Sequence, residues 1–230
     1  MNNKILNKLQ QLFKNSPFLL RDHRALSHVI TATFGVDVDF DHLTFKTMNV
    51  VTISRLIDTA VLKKYFSSVW QPKTKQYKYS GLSIIDEINS MNPRSVLDLG
   101  CGYNEFSGKI KNLVGVDPYN TRADVTSSIL DFNSPEKFDV VICLGSINFG
   151  SVDKIFNEME HAVSLTTIGG LLYFRANPGE QHQSPDAKWI EFFDWTPEFI
   201  VNAAKQLNCD VLALQQDVGN RYYFVLKRKG

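Results

Sequence analysis

The sequence predicts an α/β fold: a parallel, doubly wound sheet closed by a C-terminal antiparallel hairpin and preceded by a mainly helical appendage. Three observations carry this. An apolar run, Val96-Leu97, ends in Asp98 and turns sharply through Leu99-Gly100-Cys101-Gly102, as a buried parallel strand does beside a ligand. From about residue 80 onward, β-rich and helix-periodic runs alternate, the pattern of a parallel sheet with crossover helices. The chain then closes with two β-rich runs, Cys209 to Gln216 and Arg221 to Lys227, joined by the turn residues Asp217-Val218-Gly219-Asn220. The expected division is an appendage over 1–76 and a sheet domain over 77–230.

Taken in order, residues 2–14 read as an amphipathic helix, with Ile5, Leu6, Leu9, Leu12 and Phe13 near one face and Lys4, Lys8 and Lys14 elsewhere. Pro17 interrupts it. Val36, Val38 and Phe40 alternate with Asp37, Asp39 and Asp41, a short strand or turn. Residues 51–66 are helical by the spacing of Ile53, Leu56, Ile57, Val61, Leu62 and Phe66. Trp70 to Tyr79 is a cation-rich loop. Leu82, Ile84, Ile85 and Ile88 then line a core-facing helix that ends at Asn92-Pro93.

After the strand with Asp98, a helix is expected from Glu105 to Lys111. Leu113 to Asp117 is a second strand, again ending in an acid. Ala123 to Ser128 is a thinner third one, and Phe138 to Leu144 a strong buried fourth. Ser151 can cap a helix running through about Leu165, with Ile155, Met159 and Val163 inward, which Gly169-Gly170 stops. Leu171 to Ala176 is a fifth strand, and Asn177 to Asp194 a long polar loop of the kind that often carries function. Thr196-Pro197-Glu198 opens the last helix.

The chemistry centres on the glycine turn. Gly100 and Gly102 allow backbone angles closed to other residues and let a ligand lie against the main chain. A helix opening behind them offers free N–H groups and a positive dipole end. Two ligand classes suit this arrangement. A dinucleotide needs Gly-x-Gly-x-x-Gly, whereas Glu105 stands at the third glycine position, close to where phosphates would lie. A cationic amino-acid nucleoside suits it better: Asp98 can accept from an ammonium group, and Asp117, one strand–helix–strand unit later, from two ribose hydroxyls.

The run Val96-Leu97-Asp98-Leu99-Gly100-Cys101-Gly102 resembles the first motif of the class I S-adenosylmethionine-dependent methyltransferases, with Asn104 where that family often has a third glycine. The resemblance covers roughly residues 77–228. It implies a Rossmann-like, seven-stranded sheet, and the closing hairpin looks like that family's seventh-strand signature. It implies S-adenosyl-L-methionine as cofactor and a cofactor-binding set of Asp98, Gly100, Cys101, Gly102, Asp117, Pro118, Ser128, Ile129, Leu144 and Tyr79. Ser128 replaces the acid or amide usual at the adenine. Tyr77 and Tyr79 match a segment that closes over the cofactor in that family.

Asn148, His182 and Arg175 are the candidate acceptor contacts: Asn148 by its place after the fourth strand, His182 as a loop base, and Arg175 as a holder of an anionic acceptor. Gly145-Ser146-Ile147-Asn148-Phe149 departs from the (Asp/Asn/Ser)-Pro-Pro-(Tyr/Phe) motif of nucleic-acid amino methyltransferases, which argues against that acceptor. The other readings are a non-catalytic binding or assembly protein that keeps the fold, and a nicotinamide oxidoreductase.

Bulk properties set the frame. The chain has 230 residues, 43% hydrophobic and 21% charged, ordinary for a globular protein. Its +1 net charge is uneven, +7 over residues 1–78 and −6 over the rest, which suits an anionic partner at the N-terminal region. Three unpatterned cysteines point to a reducing, cytoplasmic setting and to no metal site. No run approaches the roughly 20 apolar residues of a membrane helix.

Overall fold

The structure, a computed structural model, describes residues 2–70, 73–179 and 185–230, except the side chains of residues 42 and 43. The chain forms two compact units, Met1–Trp70 with His182–Glu191, and Gln71–Gln181 with Phe192–Gly230. The first unit thus takes in part of the long loop.

The first unit is helical: α1 (Asn3–Asn15), α2 (His23–Phe34), α3 (His42–Phe45) and α4 (Val50–Lys64). Each starts on an Asn or Asp whose side chain accepts from backbone N–H groups of the first turn. Ile5, Leu9, Leu26, Ile30, Ile53 and Ile57 are buried in it. Asn2 ties the unit together, donating from Nδ2 to Asp58 Oδ1 at 2.8 Å and to the Trp189 carbonyl at 2.7 Å. Trp189 stacks at a tilt against Phe34, centroids 4.7 Å apart, so this part of the loop serves as packing. Among the described residues, no helix is long and apolar enough to cross a membrane.

The second unit is a six-stranded sheet in the order β2-β1-β3-β4-β6-β5. Its strands are β1 (Val96–Leu99), β2 (Leu113–Val116), β3 (Phe138–Leu144), β4 (Thr166–Ala176), β5 (Cys209–Asp217) and β6 (Arg221–Arg228). β2, β1, β3 and β4 are parallel, and β6 and β5 close the sheet antiparallel. Among the described residues three α-helices accompany it, α5 (Ile85–Ser90), α6 (Val152–Leu165) and α7 (Pro197–Gln206). Alternate residues feed two cores, one with Leu97, Leu99, Val141, Phe174 and Trp195, the other with Val96, Ile142, Tyr173 and Tyr223.

Four expectations are corrected. The sheet has six strands rather than seven, because Ala123 to Ser128 makes only one parallel bridge, Val125 to Val116. That segment has too few apolar side chains to cover a sheet edge. No regular helix follows the glycine turn. Residues 102–110 run as successive turns, because Gly102, Asn104 and Gly108 all adopt positive φ, and Asn112 adds another just beyond. The free helix N-terminus expected behind Gly102 is therefore absent. Finally, Gly169-Gly170 do not stop a helix. α6 ends at Leu165, as its periodicity led one to expect, but it passes straight into β4, where the two glycines lie at a register shift against β3. Arg228 Nη1 caps that abrupt helix end by donating to the Val163 carbonyl at 3.0 Å and the Ser164 carbonyl at 3.3 Å.

Candidate functional site

The tips of β1 and β2 build the site. Asp98 pairs in register with Gly115, and the chain beyond Leu99 folds back so that the Gly100 and Cys101 N–H groups both donate to the Val116 carbonyl, at 2.7 and 3.0 Å. Gly100 has φ +76, and a Cβ there would lie 2.2 Å from Ser146 Cβ. The turn and the end of β3 are thus in direct contact, which only glycine permits. Gly102, also at positive φ, is different: a Cβ added to it meets nothing within 4 Å. The main chain there is open to a ligand.

Asp117 locks the two tips together. Its Oδ2 accepts from the Gly102 N–H at 3.0 Å, and its Oδ1 accepts from the Tyr119 and Asn120 N–H groups at 2.8 Å each. Three acceptor positions are used. An ionised carboxylate offers about four, so Oδ2 keeps capacity for a hydroxyl. The bend through Pro118 follows from these bonds. Asn104 supports the turn from below, donating through Nδ2 to the Arg122 carbonyl at 3.0 Å and to Asp124 Oδ2 at 3.2 Å.

Asp98 is buried, 3% exposed. Burial first, and then the neighbouring Asp117 charge, push its carboxyl up to about 8, and no hydrogen bond among the described residues offsets them. A buried carboxyl without donors is costly unless a cation meets it. Cys101 is buried beside these acids. Burial, followed by Asp98, Asp117 and Asp124, raises its thiol well above the ordinary value and so favours the protonated form.

The other sequence candidates fall in different settings. Ser128 caps a turn, its hydroxyl donating to Asp131 Oδ2. Ile129 is buried in the first core, and Leu144 packs partly buried against the second. Tyr79 stacks on Tyr223 with centroids 6.1 Å apart. His182 lies outside the described residues.

Asn148 is fully buried, and its Oδ1 accepts the Asn177 N–H at 2.9 Å, whereas its Nδ2 has no partner among the described residues. It holds the chain leaving β4 against the chain leaving β3. Asn148→Ala strips the Asn177 N–H of its acceptor and should cost about 1–3 kcal/mol of stability, read as a lower urea midpoint. An unchanged midpoint with a raised KM would instead make Asn148 an acceptor contact.

Arg175 is buried at the end of β4 and faces Asp217, Nε to Oδ2 at 3.5 Å, and the ring of Tyr77, 3.9 Å from its centroid. Sequence reasoning missed Asp217 and Arg221, which read only as hairpin-turn flanks, and Ser146, whose buried Oγ has no hydrogen-bond partner among the described residues. Charged residues on both sides of a hairpin turn were the available signal for the first two.

No protein-family model and no curated protein matches the sequence. Solved structures do match in fold. The magnesium protoporphyrin IX methyltransferase of Synechocystis PCC 6803, with bound S-adenosylmethionine, superposes with a TM-score of 0.54 at 14% identity, over 75% of this chain and 97% of that one. The 1,6-didemethyltoxoflavin-N1-methyltransferase of Burkholderia thailandensis, with S-adenosylhomocysteine bound, gives 0.52 at 12% identity, over 65% and 78%. An amino pentose methyltransferase of Micromonospora echinaspora, with S-adenosylmethionine bound, gives 0.51 at 17% identity, over 64% and 89%. With its strand order, its strand-tip acids and these likenesses together, the chain has the fold of the class I S-adenosylmethionine-dependent methyltransferases.

Proposed function

We propose that the protein is an S-adenosylmethionine-dependent methyltransferase. The observation that carries the reading is the donor-free, buried Asp98 carboxyl beside a glycine turn whose Gly102 is open to a ligand. A cationic amino group is the partner that such a carboxyl lacks. Asp98 would hold that amino group, Gly100 to Gly102 would lie along the ribose and methionine part, and Asp117 Oδ2 would accept from a ribose hydroxyl.

When bound, the cofactor supplies an electrophilic methyl on a sulfonium. This chain's own part is to bind, orient and exclude water. No thiolate at Cys101 competes for the methyl, because burial and three acids keep the thiol protonated. The free, buried Cys101, Cys143 and Cys209 are in keeping with a reducing, cytoplasmic setting. Residues 1–76 are read as a separate, basic appendage.

Gly102→Ala tests the reading. The new Cβ meets no protein atom, so the structural cost is confined to the left-handed backbone, about 1–2 kcal/mol. A ligand lying on the turn meets that methyl directly. S-adenosylhomocysteine affinity by calorimetry should drop at least about tenfold, a loss of roughly 1.4 kcal/mol. Equal affinity in both proteins removes the glycine turn from the binding site. Quenching of tryptophan emission with transfer to NADH would favour the oxidoreductase reading instead.

A further inference from the structure

A second charged cluster stands on the sheet face that carries Asp98. Asp98 is in register with Ile142, and Ile142 with Tyr173, so the three side chains share a face. Leu144 and Arg175 pair across β3 and β4 two residues further on, at the height where β1 gives way to the Gly100 turn. Two strand spacings separate β1 from β4, on the order of 10 Å. Arg175 is thus about one small molecule away from the glycine turn.

Its environment is unusual for a purely structural arginine. Nη2 donates to the Val218 carbonyl at 3.0 Å, and Tyr77 covers the guanidinium face. Among the described residues Nε has no hydrogen-bond acceptor, and Asp217 Oδ2 faces it at 3.5 Å as an ion pair. Asp217 is already engaged. Oδ2 accepts from the Ser80 hydroxyl, and Oδ1 from the Val218 N–H at 2.8 Å and the Tyr79 N–H at 3.4 Å.

Burial on its own would raise the Asp217 carboxyl, but those hydrogen bonds and the Arg175 charge outweigh it and hold it low. Arg221, the first residue of β6, brings a second guanidinium. It pairs in register with Asp217, the ion-pair partner of Arg175, which brings the two cations to one place; burial and the Arg175 charge lower its pKa, while Tyr77 and Asp217 act the other way. A pair of partly desolvated guanidinium forks beside an aromatic face is well suited to the oxygens of a carboxylate or phosphate.

We propose that Arg175 and Arg221, with Tyr77 against the Arg175 guanidinium, bind an oxyanion carried by the methyl acceptor, a carboxylate or a phosphate group. The acceptor's nucleophile then reaches back along the strand tips towards the Gly100 turn. The role as an acceptor subsite rests on the methyltransferase reading. The capacity to bind an oxyanion does not.

The test is a titration of sodium benzoate and of sodium phosphate, at constant ionic strength, followed by NMR at the arginine Nε–Hε groups. It is run on the ligand-free protein and on protein with S-adenosylhomocysteine. The expected result is a saturable shift of the Arg175 and Arg221 signals with at least one of the anions, weakened at least tenfold in Arg221→Gln. Saturation by benzoate marks a carboxylate acceptor, and saturation by phosphate a phosphorylated one.

A non-saturating drift with both anions overturns the proposal, as does equal binding by Arg221→Gln. Arg221 is only partly buried, so its replacement is tolerable to the fold, and Arg221→Lys, which keeps the charge without the fork, gives an intermediate affinity. Anion binding without S-adenosylhomocysteine binding would sink the methyltransferase reading and leave the oxyanion site standing. The reverse outcome would do the opposite.

Discussion

Asp98→Asn weakens S-adenosylhomocysteine binding by about 10- to 150-fold, the value of one charge-assisted hydrogen bond of roughly 1.5–3 kcal/mol. It does so while making the ligand-free protein more stable at alkaline pH. The sign follows from the raised pKa. In the unfolded chain the carboxyl titrates near 3.8, and in the folded protein at about 8. Between those values the folded state holds a proton that the unfolded state has lost. Stability therefore declines as pH rises from about 4 to 8, by at most about 1.4 kcal/mol per unit.

Asparagine cannot ionise, so the variant lacks this decline, and its urea midpoint should overtake that of the parent as pH rises. Ligand binding reverses the slope. A cationic amino group favours the ionised carboxyl, so affinity should rise with pH between about 6 and 7.5, and binding near pH 7 should release close to one proton. Calorimetry in two buffers of different ionisation enthalpy measures that proton. If the parent releases none, or if Asp98→Asn binds as tightly, the amino-group contact is wrong.

Gly100→Ala damages the scaffold rather than the ligand contact. The added Cβ falls 2.2 Å from Ser146 Cβ, and neither atom can swing aside because both are fixed to the backbone. Overpacking of this kind costs about 1–3 kcal/mol. The backbone, at φ +76, adds about 1–2 kcal/mol for a residue with a side chain. The variant should unfold at clearly lower urea and lose ligand binding with it. Ser146→Gly in the same chain removes the clashing atom and should recover most of the overpacking part, leaving the backbone cost. The two glycines of the turn are therefore separable: Gly100 serves the protein's own packing and Gly102 faces outwards. If the double variant is no more stable than Gly100→Ala, the contact with Ser146 is not what excludes a side chain there.

Much of the sheet could be read from the chain because its strands carry their own marks. Val96-Leu97, Val114 to Val116 and Phe138 to Leu144 are short apolar runs bounded by turn residues, and Gly219-Asn220 at positive φ make the hairpin turn. Asn104 adopts φ 54, a left-handed angle that asparagine tolerates better than most residues.

The misreadings have a common cause. Phe106 and Ile110 have helical spacing and are both buried, yet Asn104 and Gly108 take left-handed angles that no periodicity reports. Gly169-Gly170 resemble a helix stop, but a register shift in β4 uses them. At the site, Asp98 and Asp117 were legible because each ends a strand near the other in sequence. The cluster of Tyr77, Arg175, Asp217 and Arg221 was not, because its members meet only after β6 has been laid beside β4.

The position of β6 has a consequence for how the chain can be made. It is last of the six described strands in chain order, yet it fills the gap between β4 and β5, both earlier in the chain. Until it arrives, β4 offers one unpaired flank and β5 has no neighbour at all, so nascent chains expose backbone ready to pair with other molecules. Sealing the sheet waits for β6, and the Arg175–Asp217–Arg221 cluster at its tip cannot assemble before it.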